Sequence, residues 1–459
     1  MSKDQRVNFS SKLAVVAAAA GSAVGLGNFW RFPYELGQNG GAAFLIVYLL
    51  FVFLIGMPIM MSEFVIGRMG QGNTVGSFKK LSPKSSWWLI GLMGVVTSFL
   101  IMGFYSVVAG WTMEYIYQAV GNQFVNKETA ALTQVFVEFN TGTIRPIFWM
   151  IVFVLISALI IVLGVKDGIE KSTKIMMPLL VVIIIALGIR SVTLPGAIDG
   201  LKFLFHPDFS KITSSVLLSA MGQAFFSLSL GMGCMITYGS YISKKNHLSH
   251  TVVEVSLMDT TIAVLASVAI FPAVFSLGIN PGYGPELVFI TLPNVFAQMP
   301  GGYIWSILFF ILLFVAALTS AISLMEVIVA YLVEEKNFKR FSATVLTTLI
   351  IIFFGVISAL SFSKWDGIKV FGINFFDINF FDLFDNITSK IFMPLGGLLI
   401  SIFTGWFLSK EKIREEISTH GKFPTKYYGA FIFLVRYITP IGISLVLLNQ
   451  LGLFKLLNL

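Results

Sequence analysis

The feature that most constrains this chain is a series of long apolar segments separated by short polar connections. A helix needs about 20 apolar residues to cross the hydrocarbon core of a bilayer. The sequence offers eleven such segments, and 12% of its 459 residues are charged, about half the share in soluble domains. We therefore expect a multi-pass protein of the lipid bilayer. The segments are named spans 1 to 11 and lie near residues 13–36, 42–67, 89–119, 146–165, 174–192, 214–240, 251–277, 303–333, 341–361, 386–408 and 428–452.

The basic residues between the spans predict how the chain is oriented. Lysine and arginine cluster in alternate connections, such as 79–84, 166–174 and 336–340, and cytoplasmic loops carry clusters of this kind. We therefore predict that the protein lies in the cell (inner) membrane with its N-terminus in the cytoplasm. Because the number of spans is odd, the C-terminus is expected on the extracellular or periplasmic side. The clusters also explain the net charge of +8, so no nucleic-acid partner is expected.

Spans 1 and 6 are interrupted near their middle. Span 1 contains "GSAVGLGN" from Gly21, and span 6 contains "SLSLGMGC" from Ser227. Each such glycine weakens a helix by about 1 kcal/mol, and unwound backbone persists at membrane depth only where it faces protein or water. Two interrupted spans five apart predict an inverted repeat with a binding site between the breaks. Packing of small residues is the alternative for Gly21, but it does not explain Asn28, Arg31 and Pro33, which follow.

The motifs at these breaks resemble the neurotransmitter:sodium symporter family. They are "GSAVGLGNFWRFP" in span 1, "GQAFFSLSLGMGCMITYGSY" in span 6 and "AALTSAISLMEVIVAYLVEE" in span 8, with "VKDGIEKSTKIMMP" and "VRYITP" elsewhere. The resemblance implies an all-α integral membrane protein with a LeuT-like 5+5 inverted repeat, discontinuous helices 1 and 6, and an eleventh transmembrane helix. It divides the chain into a cytoplasmic N-terminal segment (1–12), a first repeat (13–192), a second repeat (214–408), and a cytoplasmic connection with the last helix (409–459).

The resemblance further implies a secondary active transporter that couples amino-acid uptake to two sodium ions, with no organic cofactor. Sodium prefers oxygen ligands, and carbonyls at a broken helix supply them without adding net charge. Hydroxyls within a helix also bond carbonyls one turn earlier, which is the structural alternative for span 8. The implied ligands are Ala23, Asn28, Ser227 and a span-7 residue at the first site (Na1), and Gly21, Val24, Ala316, Thr319 and Ser320 at the second (Na2).

Span 7 carries Asp259, an ionisable residue at membrane depth, which by default indicates a functional site. Among relatives, chloride-dependent members balance the sodium charge with a bound anion, and some chloride-independent bacterial members carry a carboxylate nearby. Asp259 resembles that carboxylate, so we expect chloride-independent transport. Whether Asp259 ligates Na1 directly or lies beside it stays open at this stage.

The substrate is expected to be a zwitterionic amino acid. Unwound helix ends offer amides to an anionic group and carbonyls to a cationic one, and Gly25 occupies the position where monoamine-transporting relatives carry Asp. Met232 stands where LeuT has Phe, and the adaptable thioether leaves room for a large hydrophobic or aromatic side chain. Small aliphatic amino acids are the alternative. The implied substrate-binding residues are Ser22, Ala23, Gly25, Gly27, Ile101, Tyr105, Phe226, Ser227, Ser229, Gly231, Met232, Ser320 and Leu324.

Two gates follow from the same resemblance. On the outer side Arg31 is expected to pair with Asp385, with Asp382 as runner-up, because a lone arginine at membrane depth is costly. The external segment 279–302 is expected to form a short helical lid. The inner latch would comprise Arg6 and Phe9, with Ser240, Tyr241 and Glu334 as receivers.

Other functions have less support from the residues. His206, His247, His250 and His420 all lie in predicted loops, and no nucleophile–base pair falls at membrane depth, so the chain is not expected to be an enzyme. A lone cysteine, Cys234, excludes a disulfide framework. A channel would need a repeated filter or a ring of charge, and none is visible. An amino-acid sensor that binds without transporting would share the same site and remains the alternative.

Overall fold

The protein is helical throughout the part described by the computed structural model, which comprises residues 7–124, 127–278, 287–365, 379–419, 421–422 and 427–453. Helices satisfy their backbone hydrogen bonds internally, as a hydrocarbon environment demands. Spans 1 to 11 correspond in order to Lys12–Ala23 with Gly27–Gln38, Ala42–Gly70, Trp88–Val120, Ile144–Val162, Val165–Val192, Ser214–Ser227 with Cys234–Ser240, Leu248–Ser276, Gly302–Glu335, Arg340–Leu360, Phe380–Phe407 and Tyr428–Gln450.

Nine of the described helices are each long and apolar enough to cross a membrane. The two halves of span 1 pass the same test together, across a bend of 55°, which makes up to ten. The halves of span 6 have 14 and 7 residues and are separated by residues 228–233, so the count of eleven spans stays a prediction. Shorter helices connect the spans: Thr74–Leu81, Thr129–Asn140, Ala197–Phe205, Leu287–Gln298 and Lys410–Ile417.

Backbone geometry explains why span 6 breaks where it does. Ser229, Gly231 and Gly233 all have positive φ, at 54°, 78° and 86°, a region that side chains with a Cβ rarely occupy. A Cβ on Gly231 would lie 2.2 Å from the carbonyl oxygen of Met393, so glycine is required there for two reasons. Ser229 carries the strain of a non-glycine residue at positive φ, which proteins retain mostly at functional sites.

The breaks lie in the interior of the bundle, between spans 3, 7 and 8. Gly21, Val24 and Gly231 are buried there, while the outward faces of the peripheral spans expose large apolar side chains such as Leu159 and Leu257. An apolar outer surface is what contact with lipid requires. The fold therefore places two unwound segments at the centre of a lipid-facing bundle.

The connection before span 8 packs into the bundle. Within it, residues 287–302 begin with the helix Leu287–Gln298, whose Phe289 packs edge-on against Trp111. The Tyr115 hydroxyl donates a hydrogen bond to the Phe289 carbonyl at 2.8 Å. Residues 279–286 of the expected lid lie outside the described residues, and its gating role stays a prediction.

Candidate functional site

Asp259 lies at the centre of a buried polar cluster between spans 1, 6 and 7. Its side chain has no exposed surface. The Asn28 amide donates to Asp259 Oδ1 at 2.7 Å, and the Ser227 hydroxyl donates to Oδ2 at 2.7 Å. The structure thus brings together three of the residues expected at the first sodium site, from three different spans. A carboxylate, an amide and a hydroxyl form a donor set suited to a hard cation.

Asn28 also fixes the break in span 1. Its Oδ1 accepts a hydrogen bond from the Gly25 backbone N–H at 3.0 Å, and the Asn28 backbone N–H donates to the Gly25 carbonyl at 3.1 Å. Helix Lys12–Ala23 ends at Val24, whose ψ of 100° is extended. Ala23 is buried at this end of the helix. Asn28 therefore ties the unwound segment to span 7, where Asp259 lies.

The hydroxyls of span 8 converge on the carbonyls freed by the same break. Ser320 Oγ lies 3.2 Å from the carbonyl oxygens of both Ser22 and Val24, and 3.5 Å from that of Gly21. Thr319 Oγ1 lies 3.4 Å from the Val24 carbonyl. One hydroxyl proton cannot satisfy several carbonyls at once, so this cluster is rich in oxygen lone pairs, as a cation site must be.

Helix back-bonding accounts for part of that cluster. Thr319 Oγ1 also donates to the Ala316 carbonyl at 3.0 Å, one turn earlier in span 8. This is the ordinary behaviour of a threonine within a helix. The Ser320 hydroxyl instead lies 3.2 to 3.5 Å from carbonyls of span 1, so back-bonding does not explain its position. All five residues expected at the second site are therefore neighbours in the structure.

The residues expected around the substrate backbone surround Gly25. The Tyr105 hydroxyl accepts a long hydrogen bond, 3.4 Å, from the Leu26 amide. A Cβ added to Gly25 would lie 2.5 Å from Ser320 Oγ and 3.2 Å from the Tyr105 hydroxyl. A side chain at this position would thus displace both groups. Glycine at this position therefore lets both hydroxyls approach the break in span 1.

The remaining predicted pocket residues lie nearby. Ser229 Oγ donates to the Ser22 carbonyl at 2.9 Å and so joins the two breaks directly. Ile101, Met232 and Leu324, from spans 3, 6 and 8, are each less than 10% exposed. Gly27 lies against Phe226, whose ring would be 3.1 Å from an added Cβ.

Reasoning from the sequence missed Glu63, a fully buried residue of span 2. Its Oε1 accepts a hydrogen bond from the Gly231 amide at 2.7 Å, within the break of span 6. On the other side of the break, the Ser98 hydroxyl donates to the Met232 carbonyl at 2.7 Å. The rule that singled out Asp259, a carboxylate at membrane depth, applies equally to Glu63. The available signal was therefore present in the sequence.

Two further polar groups were also missed. Tyr48 of span 2 is fully buried and interacts electrostatically with Asp259. Ser323 lies one residue before Leu324, and the Ser22 hydroxyl donates to its Oγ at 2.7 Å, behind the break in span 1. Neither tyrosine nor serine is unusual in a membrane helix, so the sequence carries no signal for either residue.

The predicted outer gate has no direct ion pair in this arrangement. The Arg31 guanidinium lies over the Phe226 ring, 4.3 Å from its centroid. Among the described residues, no ion pair of 4.0 Å or less joins Arg31 to Asp385 or Asp382, although Arg31 acts electrostatically on Asp385. The Tyr105 side chain is partly exposed. The pairing of Arg31 with Asp385 or Asp382 stays a prediction.

Several residues of the predicted inner latch are held by hydrogen bonds and ring contacts. The Phe9 amide donates to the Tyr241 carbonyl at 3.0 Å, and the two rings meet edge-on at 5.9 Å. The Tyr241 hydroxyl donates to Glu326 Oε1 at 2.7 Å, and Glu326 forms an ion pair with Arg340 at 2.6 Å. Among the other predicted members of the latch, the buried Ser240 hydroxyl donates to the Thr237 carbonyl. The exposed Glu334 accepts from the Asn73 backbone N–H at 2.7 Å. Arg6 lies outside the described residues.

Known proteins resemble this chain over nearly its whole length. The model of the sodium:neurotransmitter symporter family matches residues 6–131 and 121–458. An uncharacterised sodium-dependent transporter of Bacillus subtilis, YhdH, is 38% identical over 99% of this chain and 100% of its own length. An uncharacterised sodium-dependent transporter of Haemophilus influenzae is 37% identical over 97% of this chain and 98% of its own length.

A solved structure shows the same architecture. The crystal structure of MhsT in complex with L-phenylalanine superimposes with a TM-score of 0.89 at 45% identity, covering 97% of this chain and 100% of MhsT. The LeuT-like fold class predicted from the sequence is confirmed by this match. The relatives are transporters rather than enzymes. The chain therefore belongs to the sodium:neurotransmitter symporter family of sodium-dependent membrane transporters.

Proposed function

We propose that the protein carries a hydrophobic or aromatic L-amino acid into the cell together with sodium, by alternating access and without chloride. The observation that carries this proposal is the cluster of oxygen atoms around the break in span 1, where Asp259 contacts Asn28 and Ser320 contacts the Val24 carbonyl. The repeats 13–192 and 214–408 would move relative to each other around it. In this proposal the N-terminus is cytoplasmic and the C-terminus lies outside the inner membrane.

Two sodium ions would bind on either side of the break in span 1. Asp259, Asn28 and Ser227 would supply side-chain oxygens to the first ion, together with the Ala23 carbonyl. The carbonyls of Gly21, Val24 and Ala316, with the hydroxyls of Thr319 and Ser320, would hold the second. Each sodium charge that moves down a potential of 100 mV supplies about 2.3 kcal/mol, so two ions can drive a large accumulation of substrate.

Chloride independence follows from charge balance at the first site. The buried Asp259 carboxylate accepts from Asn28 and Ser227 and supplies one negative charge beside the ion. A bound sodium at this position is then neutralised by the protein, and no external anion is needed for that purpose. The proposal assigns Asp259 as a direct ligand, because both of its oxygens lie among the other expected ligands.

The substrate class is supported by the pocket. Gly25 carries no side chain that would displace the Ser320 and Tyr105 hydroxyls, and these two groups would contact the charged end of a zwitterion. Met232, with Ile101, lines an apolar space that can adapt to a bulky side chain. MhsT, which has been solved with L-phenylalanine, is 45% identical to this chain, and this supports a substrate of similar size.

Uptake by the purified protein in proteoliposomes tests the proposal. We expect saturable accumulation of labelled L-phenylalanine, L-tryptophan or L-leucine under an inward sodium gradient, unchanged when gluconate replaces chloride. Loss of uptake in gluconate would contradict chloride independence. Linear, unsaturable sodium flux would indicate a channel. Sodium-dependent binding with no counterflow of labelled substrate would instead indicate a sensor.

A further inference from the structure

The outward-facing surface of the helix bundle has a groove that lies apart from the proposed transport site. It has a volume of about 620 Å³ and lies between the first half of span 1, span 5 and span 7. Its walls are mostly apolar, formed by Leu13, Val16, Val181, Leu257, Met258 and Leu265. Leu13 is 68% exposed and Leu257 is 61% exposed. Because these side chains face outward on transmembrane helices, the groove opens to lipid rather than to water.

The end of the groove nearest the start of span 1 is polar. Lys12, the first residue of that helix, pairs with Glu254 at 2.5 Å, and their side chains are 49% and 39% exposed. An exposed ion pair of this kind contributes little stability. A ligand that offers both a negative and a positive group can therefore insert between the two side chains at small cost.

We propose that this groove binds phosphatidylethanolamine, with the phosphate on Lys12, the ammonium on Glu254 and one acyl chain along the apolar wall. A zwitterionic headgroup matches the two opposite charges at the mouth. An anionic lipid such as phosphatidylglycerol would leave Glu254 facing the phosphate without a cationic partner. The quaternary ammonium of phosphatidylcholine has no N–H group to donate to the carboxylate, so the primary amine is preferred.

A lipid in this groove would also fasten the first half of span 1 to its neighbours. Lys12, Leu13 and Val16 belong to the half-helix that ends at the sodium cluster, whereas Val181 and Leu257 belong to spans 5 and 7. Bound lipid would resist separation of the half-helix from these spans. This consequence rests on the proposed function, in which the inner side must open. Binding of the lipid does not depend on it.

Native mass spectrometry of the purified chain tests the binding site. The protein in detergent is offered equal amounts of phosphatidylethanolamine, phosphatidylcholine and phosphatidylglycerol. We expect one phosphatidylethanolamine adduct to predominate. Leu257→Trp, which fills the groove, should abolish that preference, and Leu159→Trp, at an equally exposed position on span 4, should preserve it. Equal retention of the three lipids by the unmodified protein, or an unchanged preference in Leu257→Trp, would overturn the proposal.

A second variant covers the case in which the tryptophan disturbs folding. Glu254→Gln removes the partner of the ammonium and should lower phosphatidylethanolamine retention about threefold, in keeping with one exposed ionic contact. Asp167→Asn, which removes an exposed pair with Lys171 elsewhere, should have no effect. Retention equal to that of the unmodified protein in Glu254→Gln would refute headgroup recognition.

Hydrogen exchange in nanodiscs then measures the consequence for span 1. We expect slower exchange over Lys12–Ala23 when phosphatidylethanolamine replaces phosphatidylcholine, and the same exchange in both lipids for Leu257→Trp. Adduct preference without slower exchange would leave the lipid site intact and overturn the fastening role. A failure of amino-acid uptake would count against the proposed function and leave the adduct preference unaffected.

Discussion

The breaks in spans 1 and 6 differ in the backbone groups that they present and in how those groups are held. In span 1, carbonyl oxygens of Ser22 and Val24 crowd around the Ser320 hydroxyl at 3.2 Å. In span 6, the Gly231 amide is held by the Glu63 carboxylate at 2.7 Å. The first break thus leaves acceptors in excess, while the second is anchored by a carboxyl oxygen from span 2. This difference suggests that span 1 supplies cation ligands and that span 6 supplies a fixed wall.

Replacing Asp259 is the strongest test of this comparison. Asp259 is a fully buried carboxylate, and both Asn28 and Ser227 donate hydrogen bonds to it. Asp259→Asn keeps the size but removes the charge that faces sodium. We expect sodium activation of uptake to weaken by about 3 kcal/mol, roughly 100-fold, the scale of hydrogen bonds and contacts to a buried charge. The measurement is the sodium concentration that gives half-maximal uptake.

The control for that variant is Asp199→Asn, which removes an exposed carboxylate in a connecting helix. Its sodium dependence should match that of the unmodified protein. If Asp259→Asn also retained normal sodium activation, Asp259 would not be a sodium ligand. If chloride restored activation of the variant, the charge-balance account of chloride independence would gain direct support.

The span 6 anchor gives the next largest effect. Glu63→Ala leaves the buried Gly231 amide without its acceptor, which costs about 2 kcal/mol. We expect a lower melting temperature and weaker amino-acid binding, since the wall of the pocket loses its fixed position. Glu63→Gln retains an amide oxygen for the same N–H group and should recover most of both losses. Equal stability of the alanine and unmodified proteins would show that span 6 holds its own shape.

These two residues also show how far the sequence could lead. A carboxylate at membrane depth indicates a functional site. This rule applies to both Asp259 and Glu63, but only Asp259 was identified from the sequence. The partner of Glu63, Gly231, lies 168 residues away, and no local spacing pairs them. The breaks themselves were predictable because glycine clusters are local. Contacts between distant spans depend on packing, which a single sequence does not encode in any short pattern.

Span boundaries and gates show two further limits. Span 5 was expected from residue 174, but the helix begins at Val165. Charged residues lower the hydropathy of residues 165–174, but several of them have partners in the structure. Glu170 accepts a hydrogen bond from the Ser10 backbone N–H and forms an ion pair with Lys174. The Arg31 side chain lies on Phe226 rather than on Asp385. Which neighbour an arginine contacts depends on the packing of distant spans, which a local motif does not specify.

Replacing Ser320 of span 8 should have a smaller effect. Ser320→Ala removes one oxygen from the carbonyl cluster and should weaken sodium activation by about 1 kcal/mol, roughly fivefold. Ser306→Ala is the matched control, because Ser306 is buried in the same helix and bonds only the Tyr303 carbonyl one turn earlier. A larger effect from the control would mean that helix stability, rather than sodium, explains the result.

The smallest expected effect concerns the wall that span 6 contributes to the pocket. Met232→Phe replaces a flexible side chain with a rigid ring at a buried position of the break in span 6. The variant should disfavour tryptophan relative to leucine by about 1 kcal/mol, a few-fold change in the ratio of their uptake. Sodium activation should stay unchanged, because Met232 contributes no oxygen from its side chain. An unchanged ratio would refute the pocket assignment, and a change in sodium activation would show that Met232 also influences the sodium sites.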